Sequence, residues 1–187
     1  MNPPRDGLVN GTLGIDGRAI DVSGWRATAG HNWGAEHADS WVWLHAAGFP
    51  AAPEGWLELV LARIRVGRAL LPWTAFGALH LGGERILLGG LGRRATASPA
   101  PGQLTATVHA PGARLTVTVT ARSEDTVTVP YADPHGGTRI VSHAALARAE
   151  LTLERPGTMA LLTDDVAYEY GTSRPVPGLD SRTLPEG

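Results

Sequence analysis

The residues best suited to moving protons in this chain lie close together. Gly30 to Phe49, GHNWGAEHADSWVWLHAAGF, holds three of the six Trp and three of the seven His within 20 residues. Histidine is the side chain whose charge changes near neutral pH. An indole presents a negative ring face that tolerates a developing cation. A buried carboxylic acid or an imidazolium beside such faces can protonate an apolar substrate. His31, His45, Glu36 and Glu58 are the candidate proton donors, with His31, His45 and Glu58 put forward as catalytic. Trp33, Trp41 and Trp43 are the candidate aromatic wall, and Asn32 belongs to the same polar cluster. The plain alternative is that the indoles fill a core and the imidazoles satisfy buried polar groups. Glu36, His37 and Asp39 fall in a polar link that reads as solvated.

Other constellations are weaker. His31, His37 and His45 are spaced by six and eight residues, which suits neither a helical pair nor a two-residue strand pair of metal ligands, so no metal is expected. Arg63 and Arg65 share a strand face with Leu57, Leu59 and Leu61. If that face is interior, one of them pairs with Glu36 or Asp39 or meets an oxygen of a ligand; if exterior, both are solvated. Asp133-Pro134-His135-Gly136-Gly137 has the composition of a turn. The chain has no phosphate-binding loop, nucleophile elbow or nucleotide fingerprint, and no cofactor is expected.

Composition removes further classes. The 187 residues suit a single domain with a real core. Net charge is −2 and the pI about 6.4, which leaves no basic footprint for nucleic acid or an anionic membrane. There is no Cys, and all 16 basic residues are Arg, so thiolate chemistry, disulfides and lysine Schiff bases are out of reach. MNPPRDGLVNG lacks the apolar core of a signal peptide. No run nears the roughly 20 apolar residues that span a bilayer. A cytoplasmic protein is expected.

The elements that would carry these residues read as strands. Trp41-Val42-Trp43-Leu44-His45 alternates, so Trp41, Trp43 and His45 share one face while Val42 and Leu44 share the other. Both faces are apolar, so one is expected to meet a packed layer and the other a closed interior or pocket. Trp56 to Val66 could be helical, but its alternation and β-branched end favour a strand. Hairpins are expected around Asp16-Gly17, Gly82-Gly83 and Pro111-Gly112. Leu115 to Thr120, LTVTVT, is the plainest strand, and Thr126 to Val129 follows it. Ile140 to Ala149 could begin helically on Ala, Leu and Arg, before Leu151 and Leu153 resume a strand pattern and Arg155-Pro156-Gly157 turns the chain. The total is about ten short strands, an all-β chain closed as a barrel or folded as a sandwich. Residues 1–10 read as flexible, 11–170 as the single domain and 171–187 as a Pro-rich mobile tail.

His31-Asn32-Trp33-Gly34 followed by Trp41-Val42-Trp43 resembles the signature of the tocopherol cyclase-like and hydroxyneurosporene synthase-like families, in which a polar residue, Asn or Ser, Trp and Gly precede a Trp-x-Trp strand. Glu58 to Arg65 resembles the strand that follows in those families, and Ala147 to Leu162 resembles their closing strands. The resemblance implies a lipocalin-like antiparallel meander barrel. It implies alkene protonation followed by cyclisation or hydration of an isoprenoid, polyene or polyketide-like substrate, without a cofactor. Those families carry two barrels in tandem, and this chain resembles the second. A homodimer or a separate N-terminal barrel would then complete a shared pocket. Taken with the residues, the expectation is a Trp-lined cavity holding a hydrophobic small molecule, lined by Asn32, Trp33, Trp41, Trp43, Arg63 and Arg65. The alternative is a carrier that binds such a molecule without changing it.

Overall fold

The computed structural model describes residues 7–27, 37–132 and 137–174. The chain divides into two compact units, Met1–Gly34 and Ala35–Gly187. In the first unit, β1 (Gly7–Val9) pairs antiparallel with β4 (Trp25–Ala27), and β2 (Thr12–Ile15) forms a hairpin with β3 (Arg18–Asp21). Asp16 (φ 47°) and Gly17 (φ 76°) both sit at positive φ at the tip. That is the mirror-image turn whose twist suits a two-residue hairpin, and Asp-Gly is a pair that tolerates it. This hairpin lies in the smaller unit.

The second unit is all-β. Its strands are β5 (Ser40–Phe49), β6 (Ala52–Arg63), the short pair β7 (Arg65–Val66) and β8 (Ala69–Leu70), then β9 (Thr74–Leu81), β10 (Glu84–Gly89), β11 (Ala95–Ala100), β12 (Gln103–Ala110), β13 (Ala113–Thr120), β14 (Thr126–Ala132), β15 (Thr138–Arg155) and β16 (Gly157–Thr172). Ten of them form one antiparallel sheet in the order β10-β9-β6-β5-β16-β15-β13-β12-β11, with β14 added beside β15. Starting at β5, the order follows the chain round to β16, which pairs back onto β5. The result is a lipocalin-like meander barrel, closed except for one seam, because β10 and β11 share no ladder. Pro99 lies in edge strand β11 and Pro130 in edge strand β14. Proline lacks a ladder donor and blunts such edges against pairing with other chains.

The stretch expected to start helically, residues 140–149, is strand. Residues 140–144 pair with β14 and residues 148–149 with β13, while β16 pairs along the other side at 140–144, 147 and 149. Backbone partners on both flanks override the helical preference of Ala, Leu and Arg, which amounts to only a few tenths of a kcal/mol per residue. The register of β15 against β16 shifts between Ala144 and Ala147 and again between Ala147 and Ala149. No helix among the described residues is long and apolar enough to cross a membrane.

The barrel interior is packed with aliphatic side chains. Val42, Leu44 and Ala46 of β5 meet Leu57, Leu59 and Leu61 of β6, Leu79 of β9, Leu115 and Val117 of β13, Leu153 of β15, and Val166 and Tyr168 of β16, all 0 % exposed. Each fully buried Leu or Val contributes roughly 1.5–3 kcal/mol by leaving water. Tyr168 brings its hydroxyl into this core, 2.8 Å from the carbonyls of both Ala100 and Gln103. Burial, then the neighbouring Tyr170, hold that phenol well above its ordinary pKa against the opposing effect of the Ala100 bond, so it remains a neutral donor.

Candidate functional site

Trp41, Trp43 and His45 do share a face of β5, as their alternation requires, but it is not the barrel interior. They are half-buried, while Val42, Leu44 and Ala46 between them are fully buried. The expected Trp-lined cavity inside the barrel is therefore replaced by an aromatic outer face. The physical reason lies in the partner strands. The register sets Val42 opposite Leu61, Leu44 opposite Leu59 and Ala46 opposite Leu57, with Tyr170, Tyr168 and Val166 on the other flank. Those side chains form the larger apolar layer, so their face closes inward. The indoles are left on a face where acidic neighbours can take their N–H groups.

On that face, β6 sets Glu58 directly opposite His45. His45 Nδ1 lies 2.8 Å from Glu58 Oε2, and Trp43 Nε1 donates to Glu58 Oε1 at 2.7 Å. The Trp43 and His45 rings stack, with centroids 6.1 Å apart and planes 10° from parallel. One carboxylate thus holds both an imidazole and an indole, and both of its oxygens are engaged. Side-chain exposure is 16 % for His45 and 25 % for Glu58. With Nδ1 turned to the carboxylate, Nε2 is the ring nitrogen available to a reactant, the usual consequence of anchoring one imidazole nitrogen. The site can accept or deliver a proton beside an aromatic wall.

A second cluster adjoins the first. Glu169 of β16 stands opposite Trp43, and His143 of β15 stands opposite Glu169. Trp41 Nε1 donates to Glu169 Oε1 at 2.7 Å, and His143 Nδ1 lies 3.9 Å from Oε2. Gly171 makes room for the indole: a Cβ at that position would fall within the Trp41 ring. The His37 ring lies 5.3 Å from Trp41 and 6.3 Å from Tyr131. Burial, then the Glu169 carboxylate, raise the pKa of the Tyr131 phenol. At the far end of the same face Trp56 and His80 stack at 5.7 Å, and His80 Nδ1 is buried without a hydrogen-bond partner among the described residues.

Of the residues singled out from sequence, Trp41, Trp43, His45 and Glu58 are brought together. His31, Asn32 and Trp33 lie outside the described residues, as do Glu36 and positions 133–136. Arg63 and Arg65 are held elsewhere. Arg63 donates to the Leu71 carbonyl at 3.3 Å and lies over the Trp73 ring at 5.4 Å. Its position is five residues along β6 from Glu58, roughly 16 Å at the usual strand rise. Arg65, whose side chain is 44 % exposed, pairs with the buried Asp39 at 2.8 Å. Glu169 and His143 were missed in the sequence. The alternation Ala167-Tyr168-Glu169-Tyr170-Gly171 carried the signal for Glu169, but only the pairing of β16 with β5 sets it beside Trp41 and Trp43. Among the described residues no three metal-binding side chains converge. An open depression of about 460 Å³ lies elsewhere, beside the irregular part of β15, and its lining includes the ion pairs Arg122–Asp125 and Arg148–Asp164. No protein-family profile, curated protein or solved structure matches this chain.

Proposed function

We propose that the protein is an acid–base enzyme that protonates a carbon–carbon double bond of an apolar isoprenoid, polyene or polyketide-like substrate. The chemistry takes place on the outer aromatic face of the barrel, and the product is cyclised or hydrated. The observation that carries this reading is the clamp of His45 and Trp43 on the single carboxylate of Glu58. An imidazole fixed by a carboxylate and stacked on an indole combines a proton donor with a surface that tolerates a carbocation. Val60 and the half-exposed Phe76, opposite each other on the same face, provide an apolar floor beside it. The resemblance of the Asn32-Trp33-Gly34 and Trp41-Val42-Trp43 motifs to the tocopherol cyclase-like families supports the same substrate class. The second reading is a carrier that binds such a molecule without changing it, which would return the probes unaltered.

The test is turnover of linear isoprenoid probes, geranylgeraniol and squalene, in D2O, with deuterium uptake read by mass spectrometry. The wild-type chain is expected to introduce deuterium at carbon. His45→Ala and Glu58→Gln are expected to lower that rate about 10²–10⁴-fold, the usual contribution of a positioned acid, with unchanged far-UV circular dichroism. Full activity in both variants would remove the proposal.

A further inference from the structure

We infer that Glu169, assisted by His143, is the proton acceptor that ends the reaction begun at His45. The inference rests on the function proposed above and assigns the second half of its chemistry.

The outer face carries the same triad twice. Trp43, Glu58 and His45 form one copy; Trp41, Glu169 and His143 form the other. In each, an indole N–H is donated at 2.7 Å to one carboxylate oxygen and an imidazole Nδ1 faces the second. The copies differ in one respect. His45 closes on Glu58 at 2.8 Å, whereas His143 stops 3.9 Å short of Glu169. Glu58 therefore has both oxygens occupied and serves to orient His45. Glu169 Oε2 receives no hydrogen bond among the described residues, so its lone pairs are open to a proton. Its side chain is 20 % exposed and that of His143 is 40 % exposed, so the pair is reachable.

Register places the two carboxylates on opposite flanks of Trp43. Glu169 is its direct partner on β16, and Glu58 lies on β6, two positions along from its partner Val60. Two strand spacings and two residues of rise set their α-carbons roughly 12 Å apart. A substrate lying across the Trp43 indole would meet a donor at one side and an acceptor at the other. The balance closes without a redox partner. The Nε2 proton of the His45 imidazolium, whose Nδ1–H is held by Glu58, moves to an alkene carbon, forming a C–H bond and consuming the π pair. A second alkene supplies its pair to the cation, forming a C–C bond. Glu169 Oε2 then removes a proton from the carbon next to the new cation, and that C–H pair becomes a double bond. The His45 proton stays in the product as the new C–H bond, Glu169 carries the different proton it removed, and exchange of His45 and Glu169 with solvent, the latter through the exposed His143, resets both. The overall change is an isomerisation, with elimination rather than water capture as its last step.

Glu169→Gln tests this, because a glutamine oxygen can still accept from Trp41 while the base is lost. With geranylgeraniol and squalene in D2O, the ratio of alkene to hydrated alcohol among the deuterated products is expected to fall about 100-fold, the lower end for a positioned base. Glu169→Asp, which keeps the carboxylate, should restore part of the alkene product. A purely structural role for Glu169 would lower both products together and leave their ratio unchanged, and that result would overturn the inference alone. Absence of deuterium uptake in the wild-type chain would overturn the proposed function and this assignment with it.

Discussion

At the scale of single residues, the site depends on small differences in what an indole can reach. Trp41 keeps its bond to Glu169 only because Gly171 has no side chain beneath the ring. Gly171→Ala is expected to displace the indole, break that hydrogen bond and cost about 1–3 kcal/mol, the range for a partly buried polar group left unpaired. The check is a red-shifted tryptophan emission together with a lower urea midpoint. Trp43→Phe keeps the stacked ring but removes the donor to Glu58, so it should cost about 1 kcal/mol without the emission shift of a displaced Trp41. His45 and Glu58 could be picked out from sequence because both fall on strands with clear alternation. Glu169 could not, since its contact with Trp41 spans 128 positions and exists only through strand closure.

At the scale of elements, strand ends are tied by a buried acid. Asp39, just before β5, accepts from Arg65 Nε at 2.9 Å and from Ser173 Oγ at 3.2 Å, while the Ser173 amide donates to the Asp39 carbonyl at 2.9 Å. These contacts join the start of β5 to the end of β16 and to the β7–β8 hairpin. Burial alone would raise the Asp39 pKa, but the bonds from Arg65, Ser173 and Ser40 and the Arg65 charge together hold it below the ordinary aspartate value. A carboxylate with a depressed folded value adds stability that is complete above its unfolded value and is lost as pH falls through the folded one. Arg65→Ala should therefore cost about 1 kcal/mol at pH 7, a modest figure because Arg65 is half-exposed. That difference should shrink in denaturation curves taken below about pH 4. The long strand β15 shows how far elements override local preference. Its Ala-Leu-Arg run would suit a helix, yet the ladders before and after that run hold the strand extended.

At the scale of the whole barrel, one aliphatic layer fills the interior and the aromatic face lies outside it. Leu59→Ala, at a side chain 0 % exposed, is expected to cost about 2–5 kcal/mol through lost burial and the cavity left behind. Urea denaturation should show a lower midpoint with an unchanged slope. Tyr168→Phe, which removes the donor shared by the carbonyls of Ala100 and Gln103, should cost about 1–2 kcal/mol by the same measurement.

The sequence by itself determined that the chain is built of strands, where its hairpins turn at Asp16-Gly17 and Gly82-Gly83, and which side chains of each strand share a face. These are local properties, set by two-residue periodicity and by turn chemistry. Only the tertiary structure decided which face of β5 turns inward and that Glu169 and His143 join Trp41 and Trp43. An alternating strand with two apolar faces carries no sign of its own. The sign comes from neighbours whose distance along the chain hides them, once β16 closes the barrel against β5.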